Sequence, residues 1–315
     1  MITLAEAKNL SQDKLTQWVI DEFRKSPILE MLPFDNTVKP QGGNTLAYVY
    51  NRVTTLPTAA VRAINVEYDA QEAKTTPVTV NLKIFGGKFG LDRVIIEDET
   101  QVVDHVQMQL QQKIQATRAL FADMFINGDV GSNALQFDGL LAALVGATTE
   151  YTPLAPIDLS TSTAIDNNYK SFMDALDKWL ATLGGKPTAL FMNATMYAVM
   201  SSVARRSSYF STSDKDAFGN AVSKYNGIQF VDIGDKPGTS DPIVATSGGN
   251  TKIVAARLAL DGVHGVSPSG ASLIKQYLPN MQQPGAVKEG EVEMVAACAI
   301  KATRSAGVFH DIKIA

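Results

Sequence analysis

The sequence predicts an α+β fold built around one long amphipathic helix, and three observations carry that prediction. From Glu97 to Phe125 apolar residues recur every three or four positions: Val103, Val106, Leu110, Ile114, Phe121 and Phe125, with Thr117 keeping the spacing. That is a single apolar stripe along a helix. Two runs with the period of two expected of strands precede it, and a helix–strand–helix unit with two late strands follows it.

The first fifteen residues hold no apolar core flanked by basic residues and no small-residue cleavage site, so they do not read as a signal peptide. Ser11 to Lys25 reads as a short amphipathic helix, with Leu15, Trp18, Val19, Ile20 and Phe23 on its apolar side and Ser11 as its cap. Pro27, Pro33 and Pro40 then exclude a continuing helix. Leu46, Tyr48 and Tyr50 give a strand over Thr45 to Val53, and Val78, Val80, Leu82 and Ile84 give a second. The polar stretch between them, about two dozen residues, is too long for a tight turn and predicts a protruding hairpin. Such a hairpin is unstable alone and needs a partner. Gly86, Gly87 and Gly90 suit a hinge or a bulge where the second strand hands over to the long helix.

That helix is expected from Asp98 to Ile126, roughly 43 Å at 1.5 Å per residue. Glu97, Asp98 and Glu99 favour its N-terminal dipole, glutamines fill its other faces, and Asn127-Gly128 stops it. A glycine-rich loop follows, ending in Phe137-Asp138-Gly139-Leu140-Leu141. The polar segment from Ala147 to Asn168 marks a domain boundary. Tyr169 to Leu183 reads as a helix stopped by Gly184-Gly185, Thr188 to Met192 as a buried strand, and Asn193 as the cap of a helix from Ala194 to Ala204. Ser207 to Ala221 reads as polar and irregular. Strands are expected at Ile228 to Ile233 and Lys252 to Leu260, with a Gly/Pro/Ser loop between them. Two more, at Glu291 to Thr303 and Gly307 to Ile314, are available to return beside an earlier element.

With 315 residues the chain forms one large domain or two smaller ones. Apolar residues make up 45% and charged residues only 19%, below the usual quarter, which suits faces covered by further copies of the chain. A net charge of −4 gives no global basic field to draw it to nucleic acid or anionic lipid. No run approaches the ~18 apolar residues of a membrane span. The chain reads as a protein made in the cytoplasm with no membrane partner.

Candidate chemistry is sparse. The lone Cys298, in the apolar run Met294 to Ile300, reads as a buried structural thiol. His105, His264 and His310 lack metal-ligand spacing, and His105 falls on the polar side of the long helix. Ser272-Leu273-Ile274-Lys275 matches a Ser-x-x-Lys pattern without its companion motifs. Arg205-Arg206 closes a helix, where positive charge suits the dipole. The Gly128 to Gly139 loop lacks the Gly-Lys-Ser/Thr ending of a phosphate loop. No catalytic, cofactor-binding or metal-binding residue is assigned.

The order of parts resembles the major capsid protein of tailed bacteriophages, the fold named for phage HK ninety-seven and shared with bacterial encapsulins. The residues that carry the resemblance are Val66-Glu67-Tyr68 through Pro77, the helix running into Phe125-Ile126-Asn127-Gly128-Asp129, Phe137-Asp138-Gly139-Leu140, and Leu190-Phe191-Met192-Asn193-Ala194-Thr195. The resemblance implies an N-terminal arm (1–40), an extended hairpin loop (41–90) and a peripheral domain with a spine helix (91–147). It further implies an axial α/β domain (148–277) and C-terminal strands returning to the peripheral domain (278–315). It implies a non-enzymatic subunit that assembles with itself, as pentamers and hexamers, into an icosahedral shell around double-stranded DNA contacted without sequence specificity. The location implied is the virion, and the implied partners are portal and decoration proteins. With the chain starting almost directly at the arm, assembly is expected to use a separate scaffolding protein or none. In some family members a hairpin lysine is linked to a neighbour's asparagine, for which Lys74 and Asn280 stand here, although non-covalent clamping is the expectation. An encapsulin-like compartment is the alternative within the fold, and a soluble α+β enzyme the alternative outside it.

Overall fold

The computed structural model describes residues 26–38, 46–55, 57–97, 105–207, 211–215, 221–269 and 273–315. The amphipathic helix expected at Ser11 to Lys25 and the start expected for the long helix at Asp98 lie outside them. Between Pro27 and Pro33 the chain makes one helical turn, α1 (Ile28–Met31), and runs into β1 (Phe34–Val38). The prolines that exclude a long helix thus permit a single turn that begins after one and ends before the next. Strands β2 (Ala47–Thr55) and β3 (Lys74–Asn81) form the hairpin, antiparallel and paired only with each other.

The run read as one strand from Val78 to Ile84 is broken at Leu82. Its N–H donates to the Leu46 carbonyl at 2.8 Å, closing the hairpin base, and β4 (Lys83–Asp92) then leaves to pair with a different sheet. Alternation continues unchanged through the break, so periodicity does not register a change of pairing partner. Gly86, Gly87 and Gly90 lie inside β4 rather than at a hinge. At Gly86 the reason is close approach, because a Cβ there would overlap the Val292 carbonyl oxygen of the paired strand.

The long helix is α3 (His105–Asn127), about 35 Å over the described residues. It follows α2 (Arg93–Ile96), one turn capped by the Asp92 carboxylate, which accepts from the Val94 N–H at 3.0 Å. A single turn, α4 (Leu140–Ala143), lies beyond the glycine loop. Short strands β5 (Glu150–Tyr151) and β6 (Ile157–Asp158) occupy the segment read as a polar boundary. Helix α5 (Ser162–Thr182) begins seven residues before the expected Tyr169, because Thr161 Oγ1 accepts from the Ala164 N–H at 3.1 Å and Ile165 is already buried. Its first turns are rich in Ser, Thr, Asp and Asn, which resemble a loop.

Strand β7 (Ala189–Met192) is fully buried, and Asn193 caps α6 (Ala194–Ser207) by accepting from the Met196 N–H at 2.8 Å. The segment read as irregular contains β8 (Ser211–Lys215) and leads into β9 (Ala221–Tyr225), which pair with each other. The chain continues through β10 (Ile228–Asp232) and β11 (Asn250–Ala256), then β12 (Val263–Pro268) and β13 (Ile274–Tyr277), which periodicity did not predict. It closes with β14 (Val287–Ile300) and β15 (Ala306–Lys313).

These strands sort into two large sheets. Strand β14 is the axis of the first, pairing antiparallel with β4, β12 and β13, and β1 adds parallel to β12. The second runs β5-β15-β11-β7-β10-β9-β8, with β6 also on β15. The two late strands therefore part company: β14 lies in the sheet packed against α3, while β15 is interior to the second sheet. Likewise β12 and β13 belong to the first sheet although they follow the second sheet's strands in sequence. Consecutive strands share a sheet only by tendency, and the alternation within each does not say which sheet it joins.

Helix α3 ties the two bodies together. Val106, Leu110 and Ile114 pack with Phe89 and Val292 on the first sheet, while Phe121 and Phe125 reach the core shared with β7, β11 and β15. The Phe125 and Phe191 rings meet edge-on at 5.8 Å. The opposite face of the second sheet is covered by α5 and α6 through Phe172, Leu176, Trp179, Met196 and Met200, which is why β7 is buried on both sides.

Candidate assembly surface

The hairpin is fastened at its base and free at its tip. Along β2 the residues facing the body are Tyr48, Tyr50 and Arg52, while Val49, Asn51 and Val53 face outward, the period of two of a strand. The Tyr48 hydroxyl donates to the Asp35 carboxylate at 2.9 Å, and the Tyr50 hydroxyl to the Ile300 carbonyl at 2.7 Å. Arg52 donates to the carbonyls of Ile300 and Lys301, at 2.5 and 3.1 Å, and to the Tyr50 hydroxyl at 3.1 Å. Burial pushes the Tyr50 phenol up, against the pull of Arg52, so it stays protonated and able to donate. Every anchor lands on β1, on the last residue of β14 or on the residue just past it, so the hairpin is gripped by the first sheet.

Beyond this grip residues 57–77 are all exposed. Val61 is 100% and Ile64 89% accessible, with Val66 and Tyr68 more than half so. Within the tip, Arg62 lies 5.3 Å from the Tyr68 ring centroid, and the Gln71 side chain accepts from the Thr58 N–H at 2.8 Å. Apolar side chains held this far from their own core gain nothing within the subunit, and exposed clusters of this kind mark contact surfaces.

At the other end of α3, the glycine loop is a tight crossing of backbone. The Gly139 N–H donates to the Gly128 carbonyl at 2.8 Å and the Gly128 N–H to the Met124 carbonyl at 3.0 Å. Asp129 caps its own loop, accepting from the Gly131 N–H at 2.8 Å and the Ser132 hydroxyl at 2.5 Å, and Asp138 accepts from the Val130 N–H at 2.9 Å. Hydrogen bonds from the Ser132 hydroxyl first, then the Gly131 N–H, hold the Asp129 carboxyl below its ordinary range. Asn127 donates to Asp123 and to the Ile243 carbonyl, joining the helix end to the second sheet's loops.

The residues singled out for chemistry do not converge. His105 is a correction: it is buried, at 2% exposure, rather than on a solvated face. An apolar stripe identifies one contact face of a helix but not whether the opposite side is also covered. His264 is buried in the first sheet, and His310 lies in the second beside Glu150 at 3.1 Å. Cys298 is buried and its thiol is pushed up to about 12. Arg206 pairs with Asp166 and donates to Ser162, so it ties α6 to α5. Ser272 falls outside the described residues, Lys74 starts β3, and both Lys74 and Asn280 are solvent-facing. Among the described residues no group of His, Cys, Asp and Glu is placed to hold a metal ion, and no helix is long and apolar enough to cross a membrane.

No family model matches the sequence, and no curated protein is similar to it. The structure, by contrast, matches solved chains end to end. One is the holo-SrpI encapsulin complex of Synechococcus elongatus (TM-score 0.67, 15% identity, 99% of this chain and 96% of that one). Another is the capsid of a native GTA particle (0.64, 10%, 98% and 97%), and a third comes from Gordonia phage Cozz (0.60, 12%, 99% and 94%). This is the phage capsid shell fold. At identities of 10–15% the likeness is one of three-dimensional arrangement. The hairpin's length, anchorage and exposed apolar tip are set by this chain's own residues.

Proposed function

We propose that this chain is a major capsid protein that self-assembles, as pentamers and hexamers, into an icosahedral shell enclosing double-stranded viral DNA. The observation that carries the reading is the hairpin: a tip with fully exposed Val61 and Ile64, rigidly gripped at its base, in a chain that shell proteins match over nearly its whole length. A tile of this kind buries little against itself and much against neighbours, and rotationally related copies joined through a second contact close into a shell. The first sheet with α3 is the peripheral part, and the second sheet with α5 and α6 is the axial part. That puts residues 263–277 with the former and 306–313 with the latter, against the division expected at 148–277 and 278–315. Scaffolding, portal and decoration proteins would act through the outer and inner faces of the assembled shell. With a net charge of −4 the DNA is held by enclosure, without base contacts. No catalytic residue is assigned, and the hairpin is not folded back onto the body over a polar pocket, the arrangement an enzyme reading calls for.

An encapsulin-like compartment is the second reading, supported by the TM-score of 0.67 to an encapsulin against 0.60 to 0.64 for the phage and GTA chains quoted. Electron microscopy of particles from the native source, with nuclease protection of their contents, separates the two. Closed particles holding nuclease-resistant DNA support the capsid reading, and small particles copurifying with an enzyme support the compartment. Monomers alone, under every assembly condition and in the source, refute both.

A further inference from the structure

Beneath the hairpin base lies a buried histidine that no structural role accounts for. His264 is 0% exposed, and neither ring nitrogen has a hydrogen-bond partner among the described residues. Its backbone is locked in the ladder between β1 and β14, opposite Ala299. Its ring meets the Tyr48 ring edge-on, with centroids 5.8 Å apart and planes at 78°. Tyr48 is the first of the three anchors of β2. Its hydroxyl is held by Asp35, and the Lys301 ammonium lies 5.6 Å from the centroid of its ring.

We propose that His264 is a proton-sensitive latch: neutral, it lets Tyr48 seat and the hairpin base close, and charged, it drives Tyr48 out and loosens the base. Its charged and titratable neighbours are Asp35 on β1, Tyr48 and Tyr50 on β2, and Cys298 on β14 with Lys301 just beyond it. A proton on the imidazole puts a second cation beside Lys301 in a buried space, where Asp35 and the Gly262 backbone offset the cost only in part. Relief has two routes, admitting water or drawing Asp35 away from the Tyr48 hydroxyl, and both move Tyr48. The backbone of His264 cannot withdraw, because its strand is paired on both sides. Motion at Tyr48 passes directly to Tyr50 and Arg52 on the same face of β2.

Burial first, then the charge of Lys301, lowers the His264 pKa, against smaller opposing pulls from Asp35 and the Gly262 backbone. The open state therefore takes up a proton more readily than the closed one. Closure is at full strength above the ordinary imidazole value of 6.5 and weakens as pH falls below it. For one imidazole the weakening at pH 5.5 has a ceiling of about elevenfold.

Hydrogen–deuterium exchange of the full-length chain, expressed as protection factors at pH 7.5 and 5.5, tests the latch. The Tyr48–Arg52 amides are expected to lose protection by up to about tenfold at pH 5.5, while Ala189–Met192 in the second sheet does not change. In His264→Phe the drop in β2 disappears. In Lys301→Met, a part-exposed position, it shrinks, because the neighbouring cation is gone. Flat protection of β2 in the wild type overturns the proposal, as does an undiminished drop in His264→Phe. If His264→Phe does not fold, an undiminished drop in Lys301→Met overturns it instead.

Discussion

Replacing Gly139 with alanine should destabilise the subunit sharply, and the reason is steric rather than conformational. Gly139 has φ −80° and ψ −179°, which any residue adopts. A Cβ built there, however, lies 2.5 Å from the Met124 carbonyl oxygen, 2.8 Å from the Gly128 nitrogen and 2.8 Å from the Ile126 carbonyl oxygen. All three are backbone atoms at the end of α3, whose side chains Met124, Phe125 and Ile126 are buried, so none has room to withdraw. Overpacking typically costs about 1–3 kcal/mol, and three backbone clashes at once put this site at the top, ~3 kcal/mol. With an unfolding entropy of ~0.7 kcal/mol/K for 315 residues, that is a Tm drop of about 4–5 °C. Gly131→Ala in the same loop is the control: its Cβ would meet only the Asp129 side chain, at 3.1 Å, and its Tm should stay within about 1 °C. Differential scanning calorimetry of the unassembled chains reads both. Equal Tm values for the two variants would refute the crossing argument.

Other predictions follow from individual contacts. Asn193→Ala removes a cap and leaves the buried Val244 carbonyl and Thr251 hydroxyl, and the exposed Thr246 hydroxyl, without their donor. It should cost about 2–4 kcal/mol in urea unfolding, and a loss under ~0.5 kcal/mol would show the network to be dispensable. Arg52→Ala should raise hydrogen exchange at the hairpin base about fivefold, equivalent to ~1 kcal/mol, with little change in global Tm; unchanged exchange would mean the grip lies elsewhere. Cys298, 5% exposed and with its thiol pushed up to about 12, should react with a thiol reagent at pH 8 only as the chain unfolds. Rapid labelling of the native protein contradicts that burial. The Ser160 hydroxyl and backbone N–H, aided by Lys313, lower the Asp158 carboxyl to about 2. Its tie between β6 and β15 should be intact above pH 3.8 and lost as pH falls through about 2, and a side-chain NMR titration near 3.8 would disprove it.

The long helix was legible because seven stripe positions kept step over about six turns, and the hairpin because two alternating runs flanked a polar stretch with no second partner in sequence. The Leu190 to Thr195 strand and cap were legible for a local reason: a short buried run followed by an asparagine in the right place. What escaped was decided by distant residues. Strand β12 is short, and His264 and Gly265 interrupt its apolar pattern; Gly265 is tolerated because the Phe34 ring of β1 fills the place of a side chain. The departure of β15 into the second sheet depends on its ladder with β11, which no local pattern contains. The candidate surface followed the same division. The exposed tip was readable from its lack of apolar pattern, but the grip of Tyr48, Tyr50 and Arg52 was not. Their acceptors are Asp35 on β1 and carbonyls some 250 positions away. The tyrosines alternated as core residues do, and only the fold shows that their hydroxyls set the hairpin's direction.

The account stands most directly on what the hairpin tip does. Deleting residues 56–73 and rejoining the strands removes Val61, Ile64, Val66 and Tyr68 while leaving the anchors and both cores in place. Sedimentation velocity under conditions where the intact chain forms large particles should then find a folded monomer or small oligomer with an unchanged Tm. Particles of full size from the deleted chain would contradict the claim that the tip joins neighbouring subunits.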